Sequence, residues 1–194
     1  PIVGELGLGS RVAEIATDHA QGSLQTTGNH LDMAIEGEGY FMEQTPQGVR
    51  YTRDGNFYRA GNGRLVTVNG QEVLDNRGRA ITIPPETASF MVAPNGNITA
   101  NNVPVAQLGL VTFEGGDAVM RKQGNSLYYV VDENLRPRQA SGSIQQGCLE
   151  RSNTEIVSEM VNLIANFRSY EANSKAVVSQ DTLLDKSVNE VGRL

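Results

Sequence analysis

The chain has 194 residues, enough for one domain or two small ones, and its 16 Lys+Arg against 22 Asp+Glu give a net charge of −6. That balance argues against a nucleic-acid partner, which selects a basic patch or stripe. A single cysteine, Cys148, excludes an intrachain disulfide framework and most thiolate metal sites, and no apolar run is long enough to span a membrane.

The sequence opens on Pro1 and carries no Met there, so it is expected to be a processed or truncated piece. Residues 1–25 contain SRVAEIATDHAQGSL (Ser10–Leu24), whose partial alternation predicts an extended lead-in. Residues 26–135 predict an all-β domain. Short β-type runs recur there every 8–12 residues or so: DMAIEG, GYFMEQ, VRYTR, NFYRA, RLVTV, SFMVA, VAQLGLVTF and SLYYVVD. Asn62-Gly63, Asn69-Gly70 and Asn95-Gly96 supply the tolerance for positive φ that tight hairpin turns require. ITIPP sets Pro84 and Pro85 at a strand end, where a missing N–H costs least. A sandwich or a bent, barrel-like sheet fits this pattern. Residues 136–151 are polar and rich in small side chains, and they are expected to form a loop-like strap into residues 152–194.

The last segment reads as one long helix. No Pro or Gly interrupts Thr154–Val191, a rod of roughly 57 Å at 1.5 Å per residue. Ser152 and Glu155 match a capping box, with Ser152 as N-cap. Glu155 and Glu159 suit the positive end of the helix dipole, and Arg193 suits the other end. Glu171 and Lys175 stand four apart in the favourable order.

Ile156, Leu163, Tyr170, Val177, Leu184 and Val191 recur every seventh residue. Met160, Phe167, Ser174, Asp181 and Val188 interleave with them, each four residues on. These are coiled-coil seam positions, apolar at all but Ser174 and Asp181. Burying each apolar member contributes roughly 1.5–3 kcal/mol, so the seam demands a partner. Ser174 and Asp181 are expected to fix register and partner number at some cost in stability. Val157, Val161 and Ile164 add a second apolar edge in the first half. A compact unit of ~100 residues is only about 30 Å across and is too small to cover the whole rod. The fold class is therefore β plus α: an all-β domain followed by one long C-terminal coiled-coil-forming helix.

Nothing in the sequence proposes an enzyme. His19 and His30 have no second ligand at metal spacing. Cys148 has no neighbouring cation or His to activate it. Gly7–Ser10 and Glu36–Tyr40 are glycine-rich without completing a phosphate or dinucleotide loop. Arg53–Asn56 (RDGN) lacks the alternating oxygens and terminal Glu of a calcium loop and reads as a β-turn. No catalytic residue, metal ligand or cofactor is assigned. On these features alone, a β-headed binding or adhesin-like module on an oligomeric coiled-coil stalk is an alternative to a polymerising subunit.

Gln21–Phe41, YTRDGNF (Tyr51–Phe57) and GRLVTVNGQEVL (Gly63–Leu74) resemble segments of bacterial flagellar axial proteins, the basal-body rod and hook family. So do QGCLERSNTEIVSEMVNLI (Gln146–Ile164) and YEANSKAV (Tyr170–Val177). The resemblance covers nearly the whole chain, with several motifs in the family's order. It implies a structural rod subunit that polymerises into the helical tube carrying torque between motor and hook. In such proteins the C-terminal helix pairs with an N-terminal helix, the pairs line the tube, and the β domain faces outward. This sequence lacks that N-terminal helix and its Asn-rich motif, so the stripe from Ile156 to Val191 would cover a helix absent here and helices of neighbours. The partners implied are copies of the chain and other rod and hook subunits, with no nucleic acid, membrane insertion or small-molecule substrate. The location implied is the basal body, reached through the flagellar type III export system. YEANSKAV leans toward distal rod members and Lys186–Leu194 toward proximal ones, so both types stay open, with the balance toward distal.

Overall fold

A computed structural model describes residues 17–132 and 134–191, without the side chains of Glu190 and Val191. The expected lead-in up to residue 16, Gly7–Ser10 and Arg193 lie outside the described residues. The chain divides into two units, Pro1–Arg151 and Ser152–Leu194.

The first unit is built around β3 (Tyr40–Thr45), the strand with most neighbours. One edge of β3 pairs with β4 (Gly48–Thr52), from Phe41↔Thr52 to Thr45↔Gly48. Its other edge is shared. Tyr40 and Phe41 face β11 (Leu110–Thr112), whereas Glu43 and Gln44 face β7 (Glu72–Val73). From that fork the sheet runs through β7 to β6 (Leu65–Thr67) and β5 (Phe57–Arg59). On the β4 side it continues to β13 (Leu127–Val130) and β12 (Met120–Gly124). A separate meander joins β8 (Phe90–Val92), β9 (Asn97–Ala100) and β10 (Val103–Gln107).

Successive side chains of a strand point to opposite faces, yet Tyr40, Phe41, Met42 and Glu43 are all buried. Both faces of β3 are therefore covered. Phe41 enters the main core with Met33, Ile35, Phe57, Leu65, Ile98 and Ile144. Tyr40 packs with Phe113 and Met120, and Met42 with Leu74 and Val111. This double burial is why the runs around β3 do not alternate cleanly in sequence.

The Asn-Gly turns form as expected, with Gly63, Gly70 and Gly96 at φ of 81°, 77° and 85°. Two further hairpins use two-residue loops in which both residues are left-handed, the type I′ requirement: Asn101-Asn102 between β9 and β10, and Asn125-Ser126 between β12 and β13. VAQLGLVTF is two strands, divided at Gly109. ITIPP forms no strand of its own. Thr82 and Ala80 make single bridges to Arg64 and Leu74, while Ile81 and Ile83 fill the core.

The expected strap is also different. Residues 136–151 contain β14 (Arg138–Gln139), β15 (Ser143–Gln146) and β16 (Cys148–Glu150). β14 pairs with β11, β15 pairs with β2 (Met33–Glu36), and β16 pairs with β1 (Leu24–Thr26). A polar sequence forms strands here because the ladder satisfies its backbone groups, while Ile144 alone carries the burial.

The second unit is α1 (Ile156–Val191). It starts later than the capping box predicts. Ser152 Oγ accepts a hydrogen bond from Thr154 N at 3.2 Å, a local turn, and Glu159 N donates to Glu155 O at 3.1 Å. Ser152 closes a turn ahead of the helix and does not cap it.

The candidate assembly helix and its root

Thirty-six residues without Gly or Pro give α1 a length of roughly 54 Å. Its apolar stripe is in the open: Ile156, Met160, Leu163, Phe167, Tyr170, Val177, Leu184 and Val188 are each 60–72% exposed. Ser174 and Asp181 are exposed as well. Val191 closes the helix, but its side chain lies outside the described residues. The second edge, Val157, Val161 and Ile164, is likewise exposed, and Val178 and Leu183 extend the apolar surface beyond what the heptad count marks. Polar groups elsewhere on α1 satisfy one another. Lys175 Nζ meets Glu171 Oε1 at 2.7 Å, and Asn189 Nδ2 donates to Asp185 Oδ1 at 2.8 Å. Ser169 and Thr182 return their hydroxyls to the carbonyls of Ala165 and Ser179. The exposed surface of the helix thus carries an apolar stripe, Ile156 to Val188, between polar residues.

At the root of the helix, β1 and β16 run side by side, with Leu24 opposite Glu150 and Thr26 opposite Cys148. The chain thus enters and leaves the β unit at adjacent points. One ion pair fastens them: Arg53 Nε donates to Glu150 Oε2 at 2.9 Å, with both side chains largely buried. Glu150 Oε1 accepts from Gly22 N at 2.9 Å, and Arg151 N donates to Ser23 O. The rest of the Arg53 fork holds the β2–β3 turn through the carbonyls of Gly37 and Gly39. Gln21 adds a clamp there, donating to Ile35 O and accepting from Gly37 N.

A second node lies beside it. The Tyr40 hydroxyl donates to Asp117 Oδ1 at 2.6 Å and contacts His19 Nδ1 at 3.0 Å. A phenol has one proton, and the carboxylate takes it. His19 Nδ1 must therefore be the donor to Tyr40. Burial, reinforced by Asp117, holds the Tyr40 phenol well above its ordinary range, so it remains a donor. Arg53 lies 5.9 Å from the centre of the Tyr40 ring and links the two nodes. His19, for which the sequence offers no metal partner, is a structural clasp on the incoming chain.

RDGN, expected to be a β-turn, forms neither turn nor bend: residues 53–55 are irregular, Asp54 Oδ1 accepts from Asn56 N, and Asn56 makes a single bridge to Asp32. Gly55 is required there, because a Cβ would stand 1.5 Å from Met33 O. Three of the segments quoted above, Gln21–Phe41, Tyr51–Phe57 and Gln146–Ile164, thus converge at one joint through Gln21, Arg53 and Glu150. Arg53 and Glu150 stand 97 residues apart, and nothing in a single sequence pairs them.

Residues 34–100 match the flagellar hook protein FlgE/F/G D1 domain, and residues 145–190 match the flagellar basal body rod FlgEFG protein C-terminal region. The flagellar basal-body rod protein FlgG of Bacillus subtilis is 36% identical over 95% of this chain and 74% of its own length. The chain belongs to the flagellar basal-body rod protein family. Two further rod proteins are FlgF of Caulobacter vibrioides, 34% identical over 93% of this chain and 73% of its own length, and FlgG of Agrobacterium fabrum, 33% identical over 92% and 71%. This rod protein is a structural, non-enzymatic subunit of the basal body, and the family implies assembly with rod subunits. The second matched region runs from β15 through the root into α1, so the joint and the helix belong to one family element.

Proposed function

We propose that α1 is the assembly element of this rod subunit and that its apolar stripe is the contact surface in a helical tube carrying torque between motor and hook. The observation that carries this reading is the exposure of a long apolar stripe on a helix of the matched family. Ile156, Met160, Leu163, Phe167, Tyr170, Val177, Leu184, Val188 and Val191 form the interface. Ser174 and Asp181 set its register. The occupant of the stripe is a helix N-terminal to this sequence, together with helices of neighbouring copies and of adjoining rod and hook subunits. Contacts that repeat head to tail without closing generate an open helical assembly. Division of labour follows the unit boundary at Ser152: the axial contacts lie in residues 152–194 and the outward-facing β unit in residues 26–151. Delivery through the flagellar type III export system suits a chain that folds without disulfides.

The test is a single charge in the stripe. Leu163→Asp or Phe167→Asp in the full-length protein abolishes swimming and basal-body rods on electron micrographs, while the β unit unfolds at an unchanged urea midpoint. Normal motility in either variant would refute the assignment.

A further inference from the structure

The β unit carries a groove of about 450 Å³ on the face of β3 opposite Phe41. Its floor is apolar: Met42, Tyr51 and Val111, with Val49 partly exposed at the mouth. Its rim is basic. Arg77 and Arg138 both line it, and no Asp or Glu does. Arg138 is held by Glu114 at 2.7 Å, but both side chains are about two-thirds exposed, so that pair is readily exchanged. The guanidinium of Arg77 has no hydrogen bond or ion pair among the described residues. Its backbone is fixed by Asp75, which accepts from the N–H groups of Arg77 and Arg79. The free cation is thus presented on a rigid turn beside an apolar trough.

A site of this make-up selects a segment that combines a carboxylate with an apolar side chain. The chain itself is acidic, with 22 Asp+Glu against 16 Lys+Arg, so a neighbouring copy is the charge complement of this rim. We infer that the groove is a docking site for an acidic, apolar-tipped segment of a second copy of this chain. The contact ties β unit to β unit, apart from the helix stripe. The inference rests on the rod-subunit reading above, which brings copies together at high local concentration. The groove adds a charge-directed contact that favours one neighbour geometry over others.

A photo-crosslinking amino acid placed at Val49 in the full-length protein, irradiated in assembled basal bodies, tests this. The expected product has twice the mass of the chain, and its crosslinked peptide contains Asp or Glu. Arg77→Glu is expected to reduce that product at least tenfold without moving the urea midpoint of the β unit. Crosslinking only to a different protein, to a peptide without a carboxylate, or to nothing would overturn the inference. So would a yield unchanged by Arg77→Glu. Each of those results leaves the rod-subunit reading standing if Leu163→Asp still abolishes rods. Normal rods with Leu163→Asp would remove the reading itself.

Discussion

Arg53→Ala isolates the joint between the entering and leaving strands. Arg53 and Glu150 have side chains only 18% and 11% exposed, so removing the guanidinium strands a carboxylate largely cut off from water. Breaking a fully buried pair costs about 3–5 kcal/mol. The residual exposure here, and the bond that Glu150 keeps to Gly22 N, lower the expected loss to about 2–4 kcal/mol. Part of it comes from the carbonyls of Gly37 and Gly39, which lose their donors. Urea unfolding of the purified protein, followed by near-ultraviolet absorbance of its tyrosines, gives the global value. Amide exchange at Arg151, whose N–H donates to Ser23 O, reads the joint directly. Exchange there accelerates more than at Phe41 in the core. Arg53→Lys keeps the charge but loses the fork, for an intermediate cost of about 1 kcal/mol. A change below about 0.5 kcal/mol in Arg53→Ala, the range of ordinary surface substitutions, would refute the claim that this pair fastens the joint.

Two other perturbations test the β unit. Glu43 is buried on β3, and burial pushes its carboxyl up to about 7, with Asp54 adding to the rise. Thr67 lies near enough to offset part of it, yet neither its hydroxyl nor Glu43 Oε1 has a partner within hydrogen-bond geometry. Between the ordinary carboxylate value and 7 the folded state keeps a proton that the unfolded chain has released. Stability therefore falls as pH rises through that window, by up to about 3 kcal/mol. Glu43→Gln removes this slope, so its stability relative to the parent improves by about 2–3 kcal/mol from pH 5 to pH 8; an equal gap at both pH values in urea unfolding would contradict the ionisation account. Gly55→Ala drives a methyl into Met33 O and must open the Met33 N–H bond to Gly55 O, costing about 3 kcal/mol or more. A crystal structure of the variant with that hydrogen bond intact would show the close approach to be relaxable.

Much of this fold is legible from local chemistry. A turn needing positive φ leaves an Asn-Gly behind, and an uninterrupted helix leaves a heptad. Those signals located most β-type runs, the hairpins at Gly63, Gly70 and Gly96, and α1. Asn101-Asn102 and Asn125-Ser126 turn with both residues left-handed but without a glycine, so β9 and β12 left no comparable mark. β14, β15 and β16 are invisible for a different reason. Their strands are fixed by long-range pairing with β11, β2 and β1, and side chains such as Gln145 and Gln146 are selected for hydrogen bonds to Glu36 and the His30 carbonyl. Their polarity imitates a loop. The apolar stripe of the candidate site could be read because its period is local. The joint at Arg53 and Glu150 could not, because its members meet only after the sheet has formed.

Leu24 and Glu150 occupy one rung of a two-stranded ladder, which makes the β unit a cassette. Strands paired in this way stand about 5 Å apart, so a short turn joining residue 24 to residue 150 would return the chain to the same place and direction. Everything between can be enlarged, trimmed or exchanged without resetting what precedes β1 or follows β16. A subunit built this way can vary its β unit while the separation of the two strands that bound it is inherited unchanged.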